Sequence, residues 1–309
     1  KFIWKKAQEL VKGDCLLFPR EYSVFNKNEL DILEFIKPVL NKTQLKNLII
    51  SGDNFKIQSN FKKEENHVPI RIKLDADFCK LLGLYLAEGS IPSVKKDSVS
   101  FSFNKNEIEH IVFVENTMRK IFGLGIYHHP ENTRVNYNGQ TITFYSSSVA
   151  NLFFVLCGGK ARTKTIHPLL LNLDKECIKN LLHGLYIGDG HYSETNYEIQ
   201  FSTTSTNIAY AIRLLLARLG ILSSVKTSRV EYKVSVSGVA REKLANLFGM
   251  DLVVVDRVRA TERAFINDSY LVLPIKSINR IGYKGKLVDI QVDNINNFVA
   301  ENAVVHNSW

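Results

Sequence analysis

The chain has 309 residues, of which 45% are hydrophobic and 23% charged, a composition typical of a globular protein with about two domains. Its net charge of +9 favours a polyanionic partner such as nucleic acid, and it argues against a protein that binds acidic ligands or calcium. No apolar run reaches the roughly 18 residues that a transmembrane helix needs, which excludes an integral membrane protein from the expected classes.

The chain opens without a methionine and without a signal peptide. We therefore expect a cytoplasmic product that has been processed or that is part of something longer. The cysteines, Cys15, Cys79, Cys157 and Cys177, are widely spaced and form no zinc pattern. We expect four buried thiols in a reducing compartment.

In chain order, residues 1–20 have the pattern of short strands and turns. Residues 21–73 form a lysine-rich connector with one predicted helix near Leu30 to Leu48. A diverged repeat follows, whose halves span Leu74 to Gly158 and Lys179 to Met250. Each half has the pattern of a helix, strands, a long helix, more strands and a short helix. Two long copies predict a pseudo-dimer of α/β halves instead of a solenoid.

Each half opens with a similar nonamer, LLGLYLAEG at 81–89 and LHGLYIGDG at 182–190. Small residues lie four apart in each nonamer, as Gly83 and Ala87 and as Gly184 and Gly188. On a helix each pair shares one face, which lets two helices approach closely.

The nonamers end in an acid followed by glycine. Gly89 and Gly190 are predicted to end their helices in the left-handed conformation. Glu88 and Asp189 lie in the last helical turn, where the helix dipole disfavours a carboxylate. If the helices pack side by side, the two acids repel and attract a divalent ion such as Mg²⁺, which assembles a phosphodiester-cleaving site. One such helix alone is more often a core helix with a solvated terminal acid, whereas two in a repeat favour a functional pair.

These nonamers resemble the two dodecapeptide motifs of the LAGLIDADG (DOD-type) homing endonucleases. The resemblance implies an α+β fold of two αββαββα-like halves related by a pseudo-twofold axis, with antiparallel sheets that form a saddle in the DNA major groove. It also implies that Glu88 and Asp189 hold Mg²⁺, although the first motif has glutamate where aspartate is commoner. The implied protein is a DNA endonuclease that acts as a monomer on a long, asymmetric duplex.

Lys164, in the segment KARTKTIHP at 160–168, is similar to the family's basic residue near the scissile phosphate. A lysine there stabilises developing charge or polarises water; the alternative is a solvated loop lysine. Five basic residues are candidates for DNA contact, and each has surface solvation as its alternative: Lys105, Arg134, Arg213, Lys226 and Lys233.

The chain ends in a hydrophobic strand followed by His306, Asn307 and Ser308, which resembles the C-terminus of an intein. The resemblance implies that Asn307 cyclises and breaks its bond to Ser308, that His306 assists, and that the Ser308 hydroxyl is the acceptor nucleophile. Asp289 matches the acidic position of the preceding intein block, and Asn296 stands where that block usually has histidine.

Residues 4–14 resemble the strand that follows the first histidine block of an all-β Hint splicing domain. Residues 1–20 contain neither threonine nor histidine, and residue 1 is lysine, so the first splicing blocks are absent from the sequence. The predicted partner is therefore an N-terminal intein segment or fragment.

The predicted layout is a Hint remnant at 1–20, a connector with possible DNA contacts at 21–73, an endonuclease at 74–260, the C-terminal part of the Hint domain at 261–307 and a C-extein at 308–309. The predicted function is metal-dependent double-strand cleavage joined to protein splicing. Two alternatives stay open: a splicing-competent fragment with an inactive nuclease, and a non-catalytic DNA- or RNA-binding module.

Overall fold

The computed structural model describes residues 2–20, 29–58, 66–92, 96–128, 138–252, 264–286, 290–292, 296–300 and 303–306. Short 3-10 helices lie at Ala7–Glu9, Lys37–Val39 and Ala161–Thr163. The α-helices are α1 (Ile32–Ile36), α2 (Lys42–Lys46), α3 (Ala76–Glu88), α4 (Ile108–Phe122), α5 (Ser147–Cys157), α6 (Pro168–Leu171), α7 (Lys175–Asp189), α8 (Thr206–Arg218) and α9 (Gly238–Phe248).

Strands precede, separate and follow these helices. They are β1 (Cys15–Pro19), β2 (Glu29–Asp31), β3 (Leu48–Ser51), β4 (Asn54–Ile57), β5 (Val68–Pro69), β6 (Arg71–Lys73), β7 (Gly89–Ser90), β8 (Ser98–Asn104), β9 (Tyr127–His128), β10 (Gly139–Tyr145), β11 (Gly190–Ser193), β12 (Glu198–Thr203), β13 (Ser224–Thr227), β14 (Tyr232–Val236), β15 (Phe265–Ile266), β16 (Tyr270–Pro274), β17 (Asn297–Ala300) and β18 (Ala303–His306). None of the helices in the described ranges has the length and apolar character required to span a bilayer.

The two halves of the repeat have the same order of elements. The first runs α3, β7, β8, α4, β9, β10, α5, and the second runs α7, β11, β12, α8, β13, β14, α9. Their four-stranded sheets also have matching orders, β7-β8-β10-β9 and β11-β12-β14-β13. The α+β class and the predicted αββαββα order of each half are thereby confirmed.

Each sheet has one apolar and one polar face because its side chains alternate along the strands. In the first sheet Phe101 pairs with Ile142 on the buried face, and in the second Phe201 pairs with Val234. The intervening residues form the opposite face, which we call the outer face of each sheet. The motif helices α3 and α7 begin at Asp75 and Asp174, whose side chains accept hydrogen bonds from backbone N–H groups three residues later.

Residues 29–74 differ from the single predicted helix. Pro38 lies just after α1, and Asn41 starts α2 with a reciprocal cap to Gln44. Together they leave two one-turn helices where the apolar spacing predicted one long helix. Phe55 on β4 is fully buried in the same core as the first half of the repeat, and the Ile57 N–H donates to Ser148 Oγ at 3.0 Å.

The two chain ends fold together. Strand β1 pairs antiparallel with β16, which also pairs with β15. The hairpin β17–β18 contacts β1 through β18. Cys15, the first residue of β1, is exposed, so the prediction of four buried thiols is wrong at this position because the strand lies at a sheet edge; the other three cysteines are buried.

Candidate functional site

The motif helices α3 and α7 touch backbone to backbone at their glycines. A Cβ atom built on Gly83 would lie 2.2 Å from the Leu181 carbonyl oxygen, and one built on Gly184 would lie 2.2 Å from the Lys80 carbonyl oxygen. Neither distance leaves room for a side chain, because both obstacles are backbone atoms. The structure thus places the small residues at the helix contact that their spacing predicted.

Gly89 and Gly190 end the two helices for a reason other than the predicted one. Their φ angles are −83° and −92°, so neither is left-handed. A Cβ on Gly89 would lie 2.1 Å from Cδ2 of Tyr85, and one on Gly190 would lie 2.2 Å from Cδ2 of Tyr186. Glycine is required here because a tyrosine ring packs across the first residue of the following strand.

The acids Glu88 and Asp189 are brought together at the ends of these helices. Glu88 Oε1 lies 2.8 Å from where a Cβ on Gly188 would be, beside Asp189 in the sequence. Burial, followed by repulsion from Asp189, raises the pKa of Glu88 to about 7. Burial also raises the pKa of Asp189, while the Lys164 charge opposes that rise. The pair is electrostatically strained in the way expected of two carboxylates that share one site.

Lys164 is buried, with 4% of its surface exposed. Its ammonium group donates to the carbonyl oxygens of Tyr85, Leu86 and Ala87 at 2.9, 2.8 and 3.2 Å. These carbonyls belong to the last turn of α3, where helix carbonyls run out of backbone partners; the Tyr85 carbonyl also accepts from the Gly89 N–H. Burial lowers the pKa of Lys164 to about 8, against the charges of Asp189 and Glu88. Lys164 therefore lies at the acid pair as a helix-capping cation and is not a solvated loop lysine.

The donor set at this point fits a hard divalent ion. In the described part of the chain, no group of three or more His, Cys, Asp or Glu side chains could enclose a metal. Two carboxylates are nevertheless what Mg²⁺ usually takes from a protein, because it keeps several waters and binds substrate phosphates. Glu88 and Asp189 would supply the protein ligands.

The sheets extend directly from this acid pair. Gly89 begins β7 and Gly190 begins β11, so each sheet starts where its motif helix ends. On the outer face of the second sheet, Lys226 is the direct cross-strand neighbour of Lys233. Both are exposed, a position that suits either DNA contact or surface solvation.

The remaining DNA-contact candidates lie elsewhere. Lys105 is exposed in the turn after β8. Arg213 lies on α8, which covers the buried face of the second sheet, and its guanidinium sits 5.4 Å from the centroid of the Phe18 ring. The structure therefore does not bring Arg213 to the outer face, because its helix position packs it against β1. Arg134 lies outside the described residues.

The outer faces also contain residues that our sequence analysis did not single out. Tyr127 and Tyr145 stack edge to face on the first sheet, with ring centroids 5.9 Å apart. Gln200 and His191 face each other across β11 and β12. Strand alternation was the signal that would have found Tyr145 and Gln200, since each lies between two buried residues.

The predicted splicing residues are only partly described. His306 ends β18 opposite Asn297, and its ring contacts that of Trp4 with centroids 4.9 Å apart. Asn296, the residue in place of the usual histidine, has a φ of 54°. Asp289, Asn307 and Ser308 lie outside the described residues.

The site therefore consists of a helix pair that joins two related α+β halves and ends in two acids. Residues 176–249 match the family model described as LAGLIDADG-like domain. The matched residues are those of the second half of the repeat, from α7 to α9.

Two curated relatives carry names of quite different enzymes. The chain is 30% identical over 277 residues to the ATP-dependent DNA helicase Hel308 of Thermococcus kodakarensis, a match that covers 83% of this chain and 23% of the helicase. It is 32% identical over 227 residues to the DNA-directed RNA polymerase subunit Rpo1C of Methanocaldococcus jannaschii, which covers 74% of this chain and 24% of the subunit. The chain thus spans about a quarter of the length of either relative.

Among solved structures, the chain is similar to I-DmoI in complex with DNA and Mn. The TM-score is 0.44 with 12% sequence identity, and the match covers 58% of this chain and all of that one (100%).

Proposed function

We propose that this chain is a site-specific DNA endonuclease carried by an intein, and that it cuts both strands of a duplex with the help of Mg²⁺. The observation that carries the proposal is the acid pair at the junction of two packed helices, from which two sheets with polar outer faces extend. The net charge of +9 supports a polyanionic substrate.

Three residues of the chain have separate roles in the proposed cleavage. Glu88 and Asp189 would hold the divalent ion; burial raises the pKa of both carboxyls, and a bound cation would favour their charged forms. When bound, the ion supplies charge neutralisation for the attacking and leaving oxygens of the phosphodiester. Lys164 holds the end of α3 in place and adds a positive charge next to the acids.

The two relatives support the intein context. A helicase and an RNA polymerase subunit share no activity with each other beyond their nucleic-acid substrates, yet each matches most of this chain over about a quarter of its own length. A self-contained segment inserted into unrelated hosts has this distribution. The two chain ends also support the intein context, because β1 and β16 pair with each other although both halves of the repeat lie between them in the sequence.

The splicing chemistry is proposed for the chain end. The Asn307 side-chain amide attacks its own carbonyl carbon, and the peptide bond to Ser308 breaks. His306 donates a proton at this step, Asp289 assists, and the Ser308 hydroxyl accepts the upstream segment as an ester beforehand. An N-terminal intein segment or fragment supplies the first nucleophile.

The nuclease is tested by cleavage selection from a library of long randomised duplexes with Mg²⁺. We expect the chain to enrich one asymmetric target and to cut both strands. Glu88→Gln and Asp189→Asn keep shape and remove charge, so each should reduce cutting at least a hundredfold while leaving binding intact. The exposed Glu109→Gln on α4 is the matched control.

Undiminished cutting by both variants would refute the site. Specific binding without cutting by the wild-type chain would support the non-catalytic binding module instead. If the chain ligates added segments while it cuts no duplex, the splicing fragment with an inactive nuclease is supported. Mixing with an N-terminal intein fragment and comparing Asn307→Ala with the wild type measures that ligation.

A further inference from the structure

The outer face of the first sheet is uncharged. Within its described strands, β7, β8, β9 and β10, there is no lysine, arginine, aspartate or glutamate. Ser102 Oγ lies 3.3 Å from Thr141 Oγ1 on this face. Further along the same face, past the Ser100–Thr143 pair, lie the edge-to-face tyrosines Tyr127 and Tyr145, which are 46% and 40% exposed. The surface therefore offers hydroxyls, a threonine methyl and aromatic rings.

The outer face of the second sheet is charged and rich in hydrogen-bonding groups. Lys226 and Lys233 stand directly opposite each other on β13 and β14, where like charges are unfavourable. Each lysine has one acidic neighbour, Glu198 at 3.8 Å from Lys226 and Glu231 at 3.1 Å from Lys233. Both lysine side chains are largely exposed, so solvent weakens these ion pairs. A cross-strand lysine pair of this kind is stabilised when a polyanion covers it.

One further side chain on this face lacks a partner. Ser235 is 3% exposed, and its Oγ has no hydrogen-bond partner among the described residues. It lies opposite Gln200 on one side and Ser224 on the other. Buried polar groups are normally paired, so this hydroxyl is an exception within the second sheet.

We propose that the two sheets recognise the two halves of one duplex by different chemistry. The first sheet reads thymine through its 5-methyl group, against the Thr141 methyl and the tyrosine rings. The second sheet supplies most of the salt-dependent contacts, and its lysines select guanine edges in the major groove. This inference rests on the proposed DNA-binding function and assigns the asymmetry of the target to named residues.

The physical basis is the different readout of the two base types. Serine and threonine hydroxyls donate or accept, so they discriminate bases weakly, whereas apolar contact with the thymine methyl depends on that base alone. Lysine donors match the two acceptors that guanine presents in the major groove, and they also neutralise phosphates.

The experiment starts from the duplex that the intact chain enriches from a randomised library. Thymines are replaced by deoxyuridine, which lacks only the methyl group, in one half of the duplex at a time. We expect affinity to fall about fourfold for each contacted methyl in the half of the duplex that the first sheet binds. Affinity should stay unchanged when the other half carries the deoxyuridine. Thr141→Ser, which removes the protein methyl, should reduce the deoxyuridine penalty in the sensitive half.

The second sheet is tested with Lys226→Gln and Lys233→Gln. Each variant should relax the preference for guanine in the half that is insensitive to deoxyuridine and lower the slope of log K against log salt by about 1. Lys175→Gln is the matched control, because it removes the same charge at the far end of α7. It should change neither the slope nor the base preference.

Two kinds of failure are distinguishable. If the wild-type chain enriches no sequence, the proposed DNA recognition is wrong and this inference falls with it. If it enriches and cuts a target, but both halves lose equal affinity with deoxyuridine or the lysine and threonine variants act on the same half, only this inference is overturned.

Discussion

Lys164 makes two kinds of interaction that a surface lysine does not make. Its ammonium satisfies three carbonyl groups at the end of α3, and its charge opposes the rise in the pKa of Glu88 and Asp189. The helix end at which Glu88 lies is already negative, so this cation stabilises both the backbone and the acid. This position explains why Lys164 is buried whereas Lys160 in the same segment is exposed.

We expect Lys164→Met to lower the free energy of unfolding by about 2 kcal/mol, because it leaves buried carbonyls without partners. It should also raise the pKa of Glu88 above about 7, since the opposing charge is lost. Carboxyl NMR titration and denaturant unfolding measure the two effects. Lys160→Met, at an exposed residue of the same segment, should produce neither; a normal Glu88 titration in Lys164→Met would contradict this role.

His183 lies inside the second motif, where its ring stacks on Phe248 with centroids 4.9 Å apart. Burial, with Lys80 and Lys179 nearby, lowers its pKa to about 4. The pKa of His183 in the folded state is below the usual value near 6.5. The contribution of the neutral ring to stability is therefore fully present above pH 6.5 and is lost as the pH falls towards 4. His183 is thus a packing residue that resists protonation.

We expect His183→Phe to keep the ring contact and to lose part of this acid sensitivity. The free energy of unfolding of the variant should fall less between pH 7 and pH 5 than that of the wild type. Thermal unfolding at a series of pH values measures the difference. Identical pH profiles for the two proteins would show that His183 does not contribute.

At the scale of elements, the pairing of α3 with α7 depends on the absence of two side chains. The obstacles to a Cβ on Gly83 are the Leu181 carbonyl oxygen and the Leu185 backbone nitrogen, neither of which can rotate away. The helices must therefore separate to admit even a methyl group. Separation would also pull Glu88 away from Asp189.

Gly83→Ala is predicted to destabilise the protein by about 3 kcal/mol through overpacking. The control is Gly125→Ala, at a residue where a Cβ meets nothing within 4 Å. That change should alter stability by no more than about 0.5 kcal/mol. Urea unfolding of both variants is the measurement, and equal stabilities would contradict the backbone contact.

At the scale of the whole molecule, residues 29–58 belong to the core of the first half. Phe55 is fully buried, and α1 contacts α5 of the repeat. Its lysines gave this segment the composition of a connector, but the side chains of Leu30, Ile32 and Ile36 are fully buried.

Phe55→Ala should lower the global free energy of unfolding by about 3–5 kcal/mol. Ile49→Ala on the neighbouring strand β3, where the side chain is 43% exposed, should cost no more than about 0.5 kcal/mol. Both are measured by denaturant unfolding monitored on the whole chain. If Phe55→Ala melted only a local segment and left the main transition unchanged, residues 29–58 would be a separate unit.

The amino-acid sequence alone determined the repeat, the order of elements in each half and the close contact at Gly83 and Gly184. These features follow from local periodicity and from small residues at fixed spacing, which any helix or strand expresses without reference to distant residues. The two acids at matching positions were visible for the same reason.

Tertiary structure decided the rest. It buried Lys164 against carbonyls of α3, placed Arg213 on the covered side of its sheet and paired β1 with β16 across most of the chain. It also replaced the expected left-handed glycines with glycines that make room for Tyr85 and Tyr186. Each outcome depends on which distant surfaces meet, and that is fixed by packing between elements and not by the pattern within one of them.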